Sequence, residues 1–135
     1  MNWKKNFRKI VETLETMLSI KIKRIYEPIC DKDGYRILVD RLWPRGIKKE
    51  TANLNAWMKE LAPSTSLRRW FNHEPEKWTD FKRAYLKELK QQEETVKELL
   101  DIIKKHQTIT LLYSAKDEKH NQALVLEKYI QSLLK

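Results

Sequence analysis

The chain has 135 residues, the length of a single domain, and 41% of them are hydrophobic, enough to bury a core without disulfides or metals. Lysine and arginine outnumber aspartate and glutamate 28 to 19, and the formal net charge of +9 favours polyanionic partners, nucleic acid first. No apolar run approaches the roughly 20 residues that a membrane span needs, and the basic N-terminus lacks the pattern of a signal peptide. Because the lone Cys30 precludes an internal disulfide, we expect a cytoplasmic protein without a membrane partner.

An apolar stripe at helical spacing opens the chain and predicts an amphipathic helix: Trp3, Phe7, Ile10, Val11, Leu14, Met17 and Leu18. We expect residues 1–18 to form a helical extension and residues 19–135 to form a single α/β domain. The stripe either docks on the domain's own core or joins two copies in a homodimer. Glu12 and Glu15 weaken the attraction to anionic lipid, which argues against a membrane-surface helix.

Three segments have the composition of strands. Ile20 and Ile22 alternate with basic residues, which predicts a strand with one wet face. After a loop that ends in the turn dipeptide Asp33-Gly34, residues 35–40 form a continuous apolar run, as expected when helices cover both faces of the sheet. Residues 108–113 predict the last strand, again in a central position.

Helical spacing fills most of the remaining chain. Thr51 or Asn53 is expected to cap a helix that carries Leu54, Trp57, Met58 and Leu61, and Ser64 or Ser66 to start a short helix through Phe71. Two further helices are predicted over about 75–90 and from about Val96 to His106. A final helix follows residues 114–117, with Ser114 or Asp117 as its cap.

The order of these elements is helix, strand, strand, several helices, strand, helix. Long helical crossovers between buried strands produce a parallel sheet. The sequence therefore predicts a small three-layer α/β domain with a mainly parallel sheet covered by helices, plus the N-terminal amphipathic helix.

Five sequence blocks carry a resemblance to a known family: DGYR at 33–36, VDRLWPRG at 39–46, WxKELAPS at 57–64, LRxWFxH at 67–73 and LLYSAKD at 111–117, followed by Asn121 and Ala123. On these blocks the chain resembles the YeaO-like family, a domain of unknown function numbered 488, over roughly residues 20–134. The resemblance implies a compact α/β domain and a cytoplasmic protein, but no reaction. Some members carry a transcription-regulator label. Related branches carry a cysteine in the last strand-to-helix loop, where this chain has Ser114-Ala115.

Two loops are expected to meet where ligands bind in parallel sheets, at the carboxyl ends of the strands. One is the 41–46 loop, and the other is the 114–117 loop, which is expected to open a helix whose N–H groups favour an anion. Arginine side chains on these and neighbouring elements can bind phosphate or carboxylate in bidentate fashion. The predicted ligand-binding residues are Arg36, Arg41, Trp43, Arg45, Arg68, Ser114, Lys116 and Asp117.

Asp40 and His73 are the candidate acid–base groups, and each candidate has a structural alternative. Asp40 can form a buried ion pair with Arg36 or Arg41, and Trp43 can serve in packing. Asp117 is more simply a helix cap, and Ser114 is either a cap or a nucleophile. Three histidines and one cysteine without paired spacing predict no metal site. The sequence has neither a P-loop nor a dinucleotide-binding fingerprint, so we expect no cofactor.

These residues predict a pocket for a phosphate-bearing small molecule or nucleotide, in a protein that either binds this ligand or acts on it as an enzyme. The alternative is a nucleic-acid-binding or transcription-regulatory protein that uses the +9 charge and exposed aromatic residues.

Overall fold

The computed structural model describes residues 3–9 and 18–135. Residues 3–9 form a helix, α1, in which Trp3 and Phe7 lie one turn apart and are both exposed. The rest of the predicted N-terminal helix, at residues 10–17, lies outside the described residues. The homodimer through this helix and the boundary at residue 18 therefore stay predictions.

A four-stranded sheet forms the centre of the domain, with the strand order β1-β4-β2-β3 and all pairs parallel. Its strands are β1 (Ser19–Arg24), β2 (Tyr35–Leu38), β3 (Ala56–Trp57) and β4 (Thr108–Tyr113). In register, Arg24 lies beside Tyr113, and Leu38 lies beside both Leu112 and Trp57. The carboxyl ends of all four strands therefore meet at one edge of the sheet.

Four further helices follow β3 in the sequence. Three of them lie between β3 and β4, and the fourth follows β4. They are α2 (Thr65–Phe71), α3 (Trp78–Gln91), α4 (Glu93–His106) and α5 (Gln122–Leu134). Short 3-10 turns occupy Asp31–Asp33, Lys59–Leu61 and Pro75–Lys77. Ser64 is the N-cap of α2 and accepts the N–H of Leu67, which confirms one of the two caps expected there.

The two faces of the sheet are covered differently. Ile37, Ile109 and Leu111 point into the main core, which also contains the buried residues of α3, α4 and α5. On the other face, Leu38 and Leu112 pack against Trp57 of β3 and against three residues of the irregular segment between β2 and β3, Trp43, Ile47 and Leu54. A loop segment therefore covers this second face, and the continuous apolar run of β2 reflects burial on both sides. The predicted α/β class with a parallel sheet is confirmed.

The helix predicted over about 51–61 is wrong. Asn53 has a φ of 52°, a left-handed conformation that no α-helix interior adopts. Beyond it, Asn55 N–H donates to Arg36 O at 2.8 Å, and Ala56–Trp57 pairs with β2. The apolar spacing of this segment fits a helix, but pairing with an open sheet edge determines its structure.

The predicted start of the last helix is also wrong. α5 begins at Gln122, and its N-cap is Asn121, whose side-chain oxygen accepts the N–H of Leu124 at 3.2 Å. Neither Ser114 nor Asp117 caps it. No helix in the described part of the chain has the length and apolar character that crossing a membrane requires.

Candidate functional site

A cavity of about 680 Å³ opens at the carboxyl ends of the strands. Its walls come from the loops after β1, β2 and β4, from α2 and from the start of α5. The two loops that were predicted to meet, at 41–46 and 114–117, both contribute to it. The lining includes nine of the predicted site residues: Asp40, Arg41, Trp43, Arg45, Arg68, His73, Ser114, Lys116 and Asp117.

Arg36 does not reach this cavity, so its predicted role as a ligand-binding residue is corrected. The side chain is buried at the start of β2, where Nη1 donates to Asp33 Oδ2 at 2.5 Å. Nε and Nη2 donate to the carbonyl oxygens of Asn53 and Ala52 at 3.0 and 3.2 Å. Because Arg36 lies four residues before Asp40, the strand carries it away from the carboxyl end. The expected ion pair of Asp40 with Arg36 is therefore absent too.

The cationic side chains of the lining fall into two groups. Arg41 is held in place, because Nε donates to Pro63 O at 2.9 Å and Nη2 donates to Ala62 O at 3.1 Å. The side chains of Arg45, Arg68 and Lys116 are exposed, and none of them makes a hydrogen bond or an ion pair with any residue that the structure describes. These three cations are available to a ligand.

Asp40 is the buried acid of the cavity. Its side chain belongs to a residue that is only 8% exposed, and Oδ1 accepts a hydrogen bond from Gln122 Nε2 at 2.6 Å. Burial raises the pKa of the Asp40 carboxyl, and interactions with Ser114, Gln122 and the charge of Arg68 only partly oppose this. The predicted pairing with Arg41 is not formed, since that guanidinium is used by two carbonyls.

Asp117 organises the loop before α5 rather than capping the helix. Oδ1 accepts the N–H groups of Lys119 and His120 at 2.9 and 3.1 Å, and Oδ2 lies 2.8 Å from His120 Nδ1. These bonds, with the one from His120 first, lower the pKa of Asp117. The loop thus presents an oriented imidazole to the cavity, which His120 also lines.

The start of α5 still borders the cavity, although it lies later in the chain than expected. Asn121 and Gln122 are both lining residues. The partial positive charge of the helix N-terminus therefore acts on this space. The helix N-terminus that was expected at Ser114–Asp117 thus lies at residues 121–122.

Trp43 lines the cavity and also packs against the second face of the sheet. Its Nε1 donates to Ile47 O at 2.7 Å, and its ring meets the ring of Trp57 edge-on at a centroid distance of 5.3 Å. Both of the uses considered for Trp43 are thus compatible with its position. His73 lies on the rim, exposed and with a φ of 54°, directly after the left-handed Asn72 that ends α2.

Sequence reasoning missed Arg24, Tyr26, His120 and Gln122 as lining residues. Arg24 Nε donates to Ala115 O at 3.0 Å, and its guanidinium lies over the Tyr26 ring at 4.6 Å. Tyr26 OH donates in turn to Arg45 O at 2.6 Å. Residues at the end of β1 therefore contact both the 41–46 loop and the 114–117 loop. The rule applied to β2 and β4 would have found Arg24 and Tyr26, which lie at the carboxyl end of β1.

Metal ligation has no support in the described part of the chain, which contains no group of three or more His, Cys, Asp or Glu side chains placed to hold an ion. The described lining contains five cationic and two acidic side chains, so its balance is positive. The arrangement suits an anionic ligand of small-molecule size.

Comparison with known proteins gives one family and several relatives. The family model described as "Inactive DUF488-N3 subclade" matches residues 19–135. "Uncharacterized protein YeaO" of Escherichia coli (strain K12) is 53% identical over 116 residues, which are 86% of this chain and 100% of that protein. "Uncharacterized protein Rv3073c" of Mycobacterium tuberculosis (strain ATCC 25618 / H37Rv) is 44% identical over 70 residues, 52% of this chain and 59% of that protein. No solved structure matches the chain.

Proposed function

Because this chain belongs to the DUF488 family and matches the subclade described as inactive, we propose that it binds a small anionic ligand without converting it. The description of the subclade favours binding over acid–base catalysis by Asp40 and His73. The ligand we propose carries a phosphate or a comparable anionic group, as in a phosphorylated metabolite or a nucleotide. We include a cytoplasmic location in the proposal, since the lone cysteine precludes an internal disulfide.

One observation carries the proposal. Arg45, Arg68 and Lys116 line the cavity, and none of their side chains forms an ion pair or a hydrogen bond with a carboxylate of the described residues, although Arg68 acts on Asp40 through its charge. Other exposed cations, such as Arg69, also have no ion-pair partner among the described residues, and the three differ from them because they all line one cavity. Charged groups that converge on a concave site without internal partners are typical of sites that bind an oppositely charged ligand.

The test compares two adjacent arginines of α2. Arg68 lines the cavity, whereas Arg69 is an exposed neighbour outside the lining. Inorganic phosphate and nucleoside monophosphates are screened by their effect on the thermal midpoint, which rises when a ligand binds the folded state. We expect Arg68→Gln to weaken binding about tenfold, the scale of one charged hydrogen bond, and Arg69→Gln to leave it unchanged. Equal behaviour of the two variants, or no midpoint shift with any phosphate compound, refutes the proposal.

Nucleic acid is the second candidate, and a specific surface favours it. Trp70 is 44% exposed, and Lys77 Nζ lies 5.0 Å from its ring centroid, on a protein with a net charge of +9. Lys77 is also paired with Glu74, so the exposed ring and the net charge of the protein carry this candidate, since aromatic rings on basic surfaces stack single-stranded bases. This candidate requires a gel shift that weakens steeply with salt and is lost in Trp70→Ala. No shift at low salt excludes it.

A further inference from the structure

The Asp40 side chain has one oxygen that the protein does not use. Oδ1 accepts from Gln122 Nε2 at 2.6 Å, while the backbone oxygen of the same residue accepts from Trp57 Nε1 at 2.7 Å. Oδ2 is buried and has no hydrogen-bond partner among the described residues. Contacts from α5 and from β3 thus fix the position of Asp40, and Ser114 lies close enough to lower the pKa of the carboxyl, but no described group completes a hydrogen bond to Oδ2 of this cavity-lining residue.

An unused buried carboxylate oxygen calls for an explanation, because buried acceptors are almost always hydrogen-bonded. The nearest cation in sequence, Arg41, donates to Ala62 O and Pro63 O instead. Arg68 acts on Asp40 through its charge only, without a hydrogen bond. Neither arginine therefore supplies a hydrogen bond to Oδ2.

We propose that Asp40 Oδ2 accepts a hydrogen bond from an N–H group of the ligand, so that the cavity selects compounds that carry both an anionic group and an amine, amide or ring N–H. This inference rests on the proposed function, because it adds an N–H group to the anionic ligand that is proposed there. The anionic end contacts Arg45, Arg68 and Lys116 at the exposed rim, and the N–H end reaches inward to Asp40.

The dimensions of the site fit a ligand with two such ends. A volume of about 680 Å³ lies within the range of cavities that hold nucleotide-sized molecules. Phe71 and Phe81 contribute apolar wall, and their rings are stacked at a centroid distance of 4.3 Å. The apolar wall suits the body of such a ligand, and Asp40 supplies the polar contact that fixes its orientation.

Matched ligand pairs test the inference by calorimetry. Adenosine monophosphate is compared with purine riboside monophosphate, which lacks the amino group, and glucosamine 6-phosphate with 2-deoxyglucose 6-phosphate, which has no donor at the position of the amine. We expect wild-type protein to prefer the N–H-bearing member of at least one pair by about tenfold or more, and the pair that responds identifies a base edge or an amine as the source. In Asp40→Leu, which removes both carboxylate oxygens, we expect this preference to disappear.

Two further variants keep the result interpretable. Gln122→Met removes the bond that orients the carboxylate without altering Asp40, and we expect it to reduce the preference in part. Asp31→Asn, at an exposed residue outside the cavity lining, is the charge-matched control and should retain it. Far-UV circular dichroism and the thermal midpoint show that each variant is folded.

The outcomes separate this inference from the proposed function. If phosphate compounds bind through Arg68 but neither pair shows a preference that depends on Asp40, the inference is wrong and the anion site stands. If phosphate compounds bind no better to wild type than to Arg68→Gln, both are wrong. A preference that survives in Asp40→Leu assigns the N–H contact to another residue and also overturns the inference.

Discussion

Asp33 Oδ2 accepts a hydrogen bond from Arg36 Nη1 at 2.5 Å, and the side chains of both residues are almost entirely buried. The carboxylate also accepts from Lys23 Nζ and from the N–H of Cys30, each at 3.1 Å. Arg36 in turn holds the carbonyls of residues 52–53. One carboxylate therefore fixes the entry to β2 and the loop that leads to β3.

We expect Asp33→Asn to reduce the free energy of unfolding by about 3 kcal/mol, because removing one partner of a buried ion pair leaves the other charge uncompensated. Urea denaturation followed by tryptophan fluorescence measures the change. Asp31→Asn is the control, since Asp31 lies in the same 3-10 turn but is exposed. A loss below about 1 kcal/mol for Asp33→Asn would show that the network contributes little to stability.

The same pair predicts an acid-sensitive stability. Burial alone would raise the pKa of Asp33, but hydrogen bonds from Cys30, Lys23 and Arg36 outweigh it and hold the pKa below the ordinary value of 3.8. A carboxyl with a lowered pKa in the folded state stabilises the fold above the unfolded-state pKa and loses that contribution as pH falls. The difference in stability between wild type and Asp33→Asn should therefore be full at neutral pH and shrink below pH 3.8.

Gly34 directly follows Asp33. Comparing its substitution with that of Gly46 distinguishes the cost of a steric clash from the cost of a positive φ. A Cβ at Gly34, which has a φ of 65°, would lie 2.3 Å from Thr108 O, whereas a Cβ at Gly46, with a φ of 80°, would meet nothing within 4 Å. We expect Gly46→Ala to cost about 1 kcal/mol from the positive φ alone and Gly34→Ala to cost more than about 3 kcal/mol. Thermal midpoints of the two variants measure the difference. Equal midpoints would contradict the assigned clash with β4.

The sheet was predictable because its strands are dense in β-branched and apolar residues. Thr108–Tyr113 was predicted with both ends correct, since a run rich in apolar and β-branched residues follows the helix that ends near His106 and stops at the polar Ser114. The segment at 51–61 was not predictable in the same way. Leu54, Trp57, Met58 and Leu61 have helical spacing, and only the pairing of Ala56–Trp57 with β2, which no local pattern encodes, selects the extended form.

The location of the cavity was predictable from topology, whereas its contacts were not. The carboxyl ends of parallel strands meet at one edge, which brings the loops after β2 and β4 together whatever their side chains do. Arg36 was misassigned although its position four residues before Asp40 on the same strand already places it away from the carboxyl end, whereas its partner Asp33 could not be predicted from one sequence. His120 was missed because the Asp117–His120 bond depends on the turn between them, which sequence reasoning had replaced with a helix.

The cap of α2 offers a test of local structure at the wall of the cavity. Ser64 Oγ accepts the N–H of Leu67 at 3.2 Å and donates to Glu88 Oε2 at 2.6 Å, while Ser66, the other serine considered as the cap, lies inside the helix. We expect Ser64→Ala to lower stability by about 1 kcal/mol and Ser66→Ala to have an effect within about 0.5 kcal/mol. Denaturation midpoints of both variants decide. A larger loss for Ser66→Ala would contradict the assignment.

The open acceptor on Asp40 predicts a trade-off between stability and binding. Because burial holds its pKa above the ordinary value, the folded protein binds a proton at Asp40 more tightly than the unfolded chain does. The ionised carboxylate therefore lowers stability at neutral pH, and its unfavourable contribution fades as pH falls through the folded-state pKa. We expect Asp40→Asn to raise the free energy of unfolding at pH 7 by about 1 kcal/mol, since a neutral amide is easier to bury, and to lose this advantage near pH 4. Urea denaturation of both proteins between pH 4 and pH 8 measures the crossover. A variant that is less stable than wild type at pH 7 would show that the protein already satisfies Asp40 without a ligand.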